Sequence, residues 1–181
     1  MTNLYVISGS SGVGKGTVIK AFLNKHPEFK LSISCTTRAK RDGEKDGINY
    51  FFLTVNEFND CVKKDEFLEW AEFSGNMYGT KKVFVNECLE RGENVLLEID
   101  TKGALNIKRL MPDAKLIFIL PPSLEELEAR LRGRNTETED AIQKRLASIK
   151  QEIQNSKQFD FSVINDTVDN TVKKLEEIML N

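Results

Sequence analysis

The stretch Gly9-Ser10-Ser11-Gly12-Val13-Gly14-Lys15-Gly16-Thr17 decides the fold. It follows an apolar run, Leu4-Tyr5-Val6-Ile7-Ser8, that reads as a buried strand. It precedes Val18, Ile19, Phe22 and Leu23, which recur at helical spacing. Strand, glycine-rich turn and helix, in that order, are the setting that a Gly-x-x-x-x-Gly-Lys phosphate-binding loop requires. Glycines let main-chain amides turn inward around phosphate oxygens, and the helix N-terminus adds the positive end of its dipole. Lys15 contributes a full charge for a transferring phosphoryl group. All nine residues from Gly9 to Thr17 are therefore candidates for holding the phosphates of a nucleoside triphosphate. One position departs from the strict pattern. Gly16 stands where Ser or Thr usually sets a hydroxyl on Mg²⁺, and Thr17 follows it.

Outward from this loop, strand-like and helix-like segments alternate, which predicts an α/β fold on a mostly parallel sheet. Val95-Leu96-Leu97-Glu98-Ile99 and Leu116-Ile117-Phe118-Ile119-Leu120 are short apolar runs suited to central strands, and Phe161 to Asn165 reads as the last strand. Three helix starts fit a capping box, at Thr54–Glu57, Ser123–Glu126 and Thr136–Glu139. Core-facing stripes follow at Leu124, Leu127 and Leu131, at Ile142, Leu146, Ile149 and Ile153, and at Val168, Val172, Leu175 and Met179.

The rhythm breaks after the first helix. Leu31-Ser32-Ile33-Ser34-Cys35, a charged turn, Tyr50-Phe51-Phe52, a short helix and Phe67 to Phe73 make a strand-rich segment much longer than a crossover needs. A substrate-binding insertion over 32–80 accounts for it. The arginine-rich, helical stretch 124–155 is the natural lid, which leaves 1–31, 81–123 and 156–181 as the core of a single domain spanning 1–181.

Composition narrows the partners. The 181 residues carry a net charge of −2, with 40% hydrophobic and 30% charged residues, which suits a folded domain and argues against a general nucleic-acid binder. Within that balance, Thr37-Arg38-Ala39-Lys40-Arg41 and Arg130-Leu131-Arg132-Gly133-Arg134 are local cationic clusters, the pattern of a protein that binds small anions at defined places. Three cysteines, Cys35, Cys61 and Cys88, are an odd number without a Cys-x-x-Cys, and His26 stands alone, so neither a disulfide nor a structural zinc is expected. With no charged leader and no apolar run of spanning length, the expectation is a cytoplasmic protein without membrane partners.

The segments around the loop resemble the guanylate kinases. The likeness covers Ser34-Cys35-Thr36-Thr37-Arg38 through Arg41 to Tyr50-Phe51-Phe52, then Glu69-Trp70-Ala71-Glu72-Phe73 and Gly75-Asn76-Met77-Tyr78-Gly79-Thr80. It continues through Glu98-Ile99-Asp100-Thr101-Lys102-Gly103-Ala104, Arg130-x-x-x-Arg134-Asn135-Thr136-Glu137 and Val163-Ile164-Asn165-Asp166. The Gly14-Lys15-Gly16-Thr17 ending is likewise shared with nucleoside-monophosphate kinases. The resemblance implies a P-loop kinase: a central parallel sheet flanked by helices, a small strand-rich GMP-binding insertion and a helical lid.

It also implies roles, which the chemistry of the residues supports. Arg38 and Arg41 would grip the GMP phosphate with guanidinium forks, and Ser34, Tyr50 and Tyr78 would donate hydroxyl hydrogen bonds to it. Glu69 would accept from N1 and N2 of guanine, with Thr80 and Asp100 completing the reading of the base. By strand pattern alone Glu69 could equally face solvent, and Asp100 could cap the helix that follows it. Arg130, Arg134 and Arg145 match lid arginines that close over the ATP phosphates, and Asn165 lies in a segment near the adenine. Lys15, Arg38, Arg134 and Arg145 would be the catalytic cations, with Mg²⁺ arriving on ATP and Thr17 a candidate ligand. A phosphate nucleophile needs no general base, so catalysis would come from in-line positioning and charge. Two other readings stay open: a non-catalytic guanylate-kinase-like protein-binding module, and a P-loop kinase for a different phosphorylated acceptor. Oligomeric state is undecided.

Overall fold

The structure is a computed structural model that describes residues 3–10, 12–123, 125, 128, 132 and 139–180, with backbone alone at 140, 141, 144, 145 and 148. In chain order it contains β1 (Leu4–Gly9), α1 (Lys15–Lys25), β2 (Phe29–Ser32), β3 (Cys35–Thr36), β4 (Phe51–Phe52), α2 (Val55–Lys63), β5 (Phe67–Phe73) and β6 (Asn76–Lys81). These are followed by α3 (Lys82–Glu90), β7 (Asn94–Glu98), α4 (Thr101–Leu110), β8 (Lys115–Leu120), α5 (Glu139–Asn155), a 3₁₀ turn, β9 (Phe161–Ile164) and α6 (Val168–Met179). The five-stranded sheet has the order β2-β7-β1-β8-β9, and a second sheet of four strands has the order β4-β3-β6-β5. The chain divides into two compact units, Met1–Val6 with Glu28–Ala114, and Ile7–Pro27 with Lys115–Asn181.

In the first unit β2 pairs parallel with β7, from Phe29 opposite Asn94 to Ser32 opposite Leu97. Val95, Leu96 and Leu97 are all buried, as a strand covered on both faces requires. The second sheet is mixed: β3 runs parallel to β4 and antiparallel to β6, and β5 and β6 form a hairpin. Ser74 and Gly75 turn that hairpin with φ of 51° and 74°, the paired positive angles of a two-residue turn that matches strand twist. Phe58, the buried residue of α2, stacks on Phe67 with ring centroids 4.5 Å apart and closes a small core with Cys35. Along β5 the period of two sends Phe67, Glu69 and Ala71 inward and Trp70 outward. A carboxylate thus occupies a core position.

In the second unit β8 pairs parallel with β9, Ile117 to Leu120 against Phe161 to Ile164. Helix α1 packs on α6, where His26 Nε2 meets Glu176 Oε1 at 3.0 Å. Val172, Leu175 and Met179 are buried on α6, as their spacing predicts.

The predicted elements recur with ends shifted by a residue or so, and the capping box at Thr54 has both of its hydrogen bonds. Two features differ. The run 31–35 is divided: Phe29–Ser32 belongs to the central sheet, and Cys35–Thr36 to the second sheet. Helix α3 has no side-chain cap and follows β6 directly, so neither a glycine nor a capping box announces it. The capping boxes at 123–126 and 136–139 fall partly outside the described residues, and Leu124, Leu127 and Leu131 fall wholly outside them.

Candidate active site

The loop after β1 is shaped by contacts that only glycine allows. A Cβ on Gly9 would lie 2.6 Å from the carbonyl oxygen of Ile119, so β1 passes too close to β8 for a side chain there. Gly12 and Gly14 adopt φ of 84° and 92°, the left-handed region that L side chains avoid. Gly14 is also the N-cap of α1, which has no side-chain cap and no acidic residue in its first turn. Helices α2, α4 and α6 are instead capped by Thr54, Asp100 and Thr167. In the first turn of α1 the Thr17 amide donates to the Gly14 carbonyl at 3.1 Å, while the amides of Lys15 and Gly16 precede any acceptor the helix can offer, which suits an anion. Ser10 is 1% exposed, and its hydroxyl has no partner among the described residues. Lys15 Nζ donates to the carbonyl of Gly9 at 3.2 Å, which holds the ammonium over the loop. Thr17 is exposed on the first turn of α1.

Asn165 braces this loop. Its Nδ2 donates to the carbonyl of Val13 at 2.7 Å, and its Oδ1 accepts from the hydroxyl of Thr171 at 2.9 Å. A Cβ on Gly14 would stand 2.9 Å from that same Nδ2. The buried amide therefore fixes the loop's main chain. Ser11, Arg130 and Arg134 lie outside the described residues, and of Arg145 only its place in α5 is described.

In the other unit, two groups of predicted residues assemble. In the first, the Arg38 guanidinium lies 5.3 Å from the Tyr50 ring centre and 5.9 Å from that of Phe52, and Tyr50 meets Tyr78 edge-on at 6.1 Å. Burial pushes the Tyr50 phenol above its ordinary value, so it remains a hydrogen-bond donor. Sequence reasoning missed the residue that orders this group, Glu44. Its Oε1 accepts from Arg38 Nη2 at 2.7 Å, and its Oε2 accepts from the Arg41 amide at 2.8 Å. The turn Arg41-Asp42-Gly43-Glu44 closes with a bond from the Glu44 amide to the Arg41 carbonyl, with Gly43 at φ 83°. A glycine followed by glutamate three residues after an arginine was the available signal. The Arg41 side chain is exposed, and Ser34 is buried.

The second group centres on Glu69, which is 6% exposed. Its Oε1 accepts from the Thr80 hydroxyl at 3.0 Å, while Oε2 is buried without a partner among the described residues. Burial, and secondarily the charge of Asp100, raise its pKa to about 7 although the Thr80 bond opposes them. Asp100 caps α4 by accepting from the amides of Lys102 and Gly103 at 2.7 and 3.1 Å. A carboxylate with one oxygen buried and unpaired is costly unless something arrives to donate to it.

Comparison with known proteins shows the family. The guanylate kinase family model matches residues 1–181. The chain belongs to the guanylate kinase family. A guanylate kinase of Prochlorococcus marinus subsp. pastoris is 52% identical over 179 residues, covering 99% of this chain and 97% of that protein. Another, from Clostridioides difficile (strain 630), is 48% identical over 97% of this chain and 86% of its own length. The crystal structure of guanylate kinase from Anaplasma phagocytophilum superposes with a TM-score of 0.82 at 30% identity, over 98% of this chain and 84% of that one. Among the described residues of this guanylate kinase family member, no group of three His, Cys, Asp or Glu could hold a metal, and no helix is long and apolar enough to cross a membrane.

Proposed function

We infer that this chain transfers the γ-phosphoryl group of ATP to GMP, giving ADP and GDP. The observation that carries the reading is Glu69, a core-facing carboxylate with one oxygen on Thr80 and the other buried and unpaired. Guanine offers a pair of N–H donors on one edge, and adenine does not. A buried carboxylate left without those donors penalises the wrong base strongly. Relatives named guanylate kinase at about half identity support the same reading over a non-catalytic binding module or another acceptor.

The residue roles follow from the chemistry. Main-chain amides of Gly9 to Thr17 hold the ATP phosphates, with Lys15 placing its charge on the transferring group. Asn165 contributes by holding the loop in shape, and Arg130, Arg134 and Arg145 add positive charge along the ATP phosphates. Arg38, Arg41, Ser34, Tyr50 and Tyr78 hold the GMP phosphate, so that one anion can approach another. Glu69, Thr80 and Asp100 read guanine. The acceptor oxygen is already ionised near neutral pH, so no side chain needs to remove a proton from it. Mg²⁺ fits as an ion carried mainly by phosphates and water, with the exposed Thr17 hydroxyl its candidate protein ligand. Such an ion supplies positive charge to the transferring oxygens. The reading places the enzyme with the cytoplasmic nucleotide pool.

The test is an assay of ADP release with ATP and Mg²⁺ against GMP, AMP, CMP and UMP. GMP should be turned over and the others should be poor acceptors. Failure with GMP, or a preference for AMP, overturns the reading.

A further inference from the structure

Gly103 is the third residue of α4, and its amide donates to Asp100 Oδ1 at 3.1 Å. Its backbone is helical and lies outside the positive-φ glycines, so its conformation would accept any residue. Glycine is also a poorer helix former than alanine. The reason for a glycine here is space. A Cβ at 103 would stand 2.8 Å from Glu69 Oε2, 3.2 Å from Cδ and 3.4 Å from Oε1. All three contacts are with one functional group. The first turn of α4 therefore rests directly on the carboxylate of β5.

We infer that Gly103 is a positioning residue for guanine recognition. Its bare α-carbon lets Glu69 hold one oxygen on Thr80 while the other stays open for the paired N–H donors of the base. The inference rests on the guanine-reading role of Glu69. A methyl group at 103 meets the movable end of a side chain, so the carboxylate yields while helix and strand stay. Swinging it by the few tenths of an ångström that the contact demands tilts the plane on which a two-point contact depends. A carboxylate oxygen moved out of line with its donors weakens a buried hydrogen bond worth about 1–3 kcal/mol, about tenfold or more in binding.

The experiment compares Gly103→Ala, Glu69→Asp, Glu69→Gln and the double variant Gly103→Ala/Glu69→Asp by steady-state kinetics and thermal melting. In Gly103→Ala the KM for GMP should rise about tenfold or more, with the KM for ATP within about twofold and no loss of Tm. Aspartate is one methylene shorter and retreats from the new methyl group. The double variant should therefore bind GMP better than the product of the two single effects by about fivefold or more. An unchanged KM for GMP, a joint rise of both KM values with a falling Tm, or independent effects in the double variant would each overturn the inference. Where Gly103→Ala does not fold, the double variant decides: its folding identifies Glu69 as the clashing group, and its failure removes the proposal. Glu69→Gln separates the two levels. A selective loss of GMP affinity there, with Gly103→Ala silent, ends this inference alone, whereas equal effects of Glu69→Gln on both substrates end the guanine reading itself.

Discussion

The proposed phosphate loop and the proposed guanine pocket are built from opposite materials. In the loop the groups aimed at a ligand are main-chain amides, and the surrounding side chains shape the main chain. Gly12 and Gly14 take left-handed angles, and Asn165 ties down Val13. In the proposed pocket the main chain is ordinary strand and helix, and recognition would rest on side chains: Glu69 on β5, Thr80 on β6 and Asp100 before α4. An amide carries the same dipole at every pH and in every sequence, so the loop, Lys15 apart, responds to shape. A buried carboxylate responds to charge and protonation, so the pocket responds to pH and to isosteric replacement.

The largest expected effect tests the loop. In the proposed function Lys15 is the one full charge the described loop residues would bring to the phosphates, and its bond to Gly9 is a single partly buried contact. Lys15→Ala should lower kcat by at least about a thousandfold while costing no more than about 1 kcal/mol of stability. Coupled ADP release and thermal melting measure the two. Activity near the parent level would remove the loop from the chemistry and leave the comparison with a single active partner.

The two regions also differ in how much the sequence alone reveals. The loop is legible because glycine spacing is itself the mechanism: positions 9, 12 and 14 are glycine for reasons of contact and conformation that any reader of strand-turn-helix can anticipate. The central strands are legible for a similar reason, since burial on both faces demands apolar runs such as 116–120. Glu69 is not legible by pattern. Alternation in β5 says that 69 shares a face with 67 and 71, but not that this face is the buried one, and only the resemblance lifted it. Glu44 and Gly103 were missed because their work depends on contacts set by folding, between a turn carboxylate and a guanidinium and between a helix and a strand 34 residues away in sequence. The resemblance puts Asn165 in a segment near the adenine, and its hold on Val13, 152 residues distant, has no signature in spacing. Helix α3 carried no cap to announce it.

The second prediction tests the pocket by changing charge at constant shape. Glu69→Gln should raise the KM for GMP about a hundredfold with little change for ATP, since a charge-assisted double acceptor becomes a mismatched amide. The same substitution should alter stability with a defined sign. Folding raises the Glu69 pKa to about 7, so the protonated group is the one the fold accepts. Its stabilising share is complete below the unfolded value, near pH 4.5, and is lost as pH rises through about 7. The ionised carboxylate therefore costs the free protein on the order of 3 kcal/mol above pH 7. Glu69→Gln removes that cost, so its unfolding free energy should exceed the parent's at pH 8 and converge with it at pH 5. In the proposed reading guanine binding needs the ionised form, so in the parent the KM for GMP should fall as pH rises from 6 to 8. The Gln variant, which shares every other titrating group, should lack that component. A stability difference independent of pH would deny that burial perturbs Glu69, and would reduce the pocket to shape, like the loop.

The smallest effect sharpens the comparison inside the pocket's own unit, between two carboxylates. Both oxygens of Glu44 are engaged, one by Arg38 and one by the Arg41 amide, and the Arg38 hydrogen bond holds its pKa below the ordinary carboxylate value. It stays ionised wherever Glu69 titrates. Its side chain is 18% exposed and that of Arg38 13%, so the pair is partly screened and contributes about 1 kcal/mol. Glu44→Ala releases the guanidinium from the Glu44 carboxylate while leaving its contacts with Tyr50 and Phe52. The KM for GMP should then rise about three- to tenfold, with ATP unaffected and the effect shrinking in high salt. A fall in KM would mean that Glu44 competes with the phosphate for Arg38. A rise means that it braces Arg38, and separates two uses of one functional group: a carboxylate with one oxygen on a cation and the other on the turn's main chain, and one kept buried with an oxygen left open.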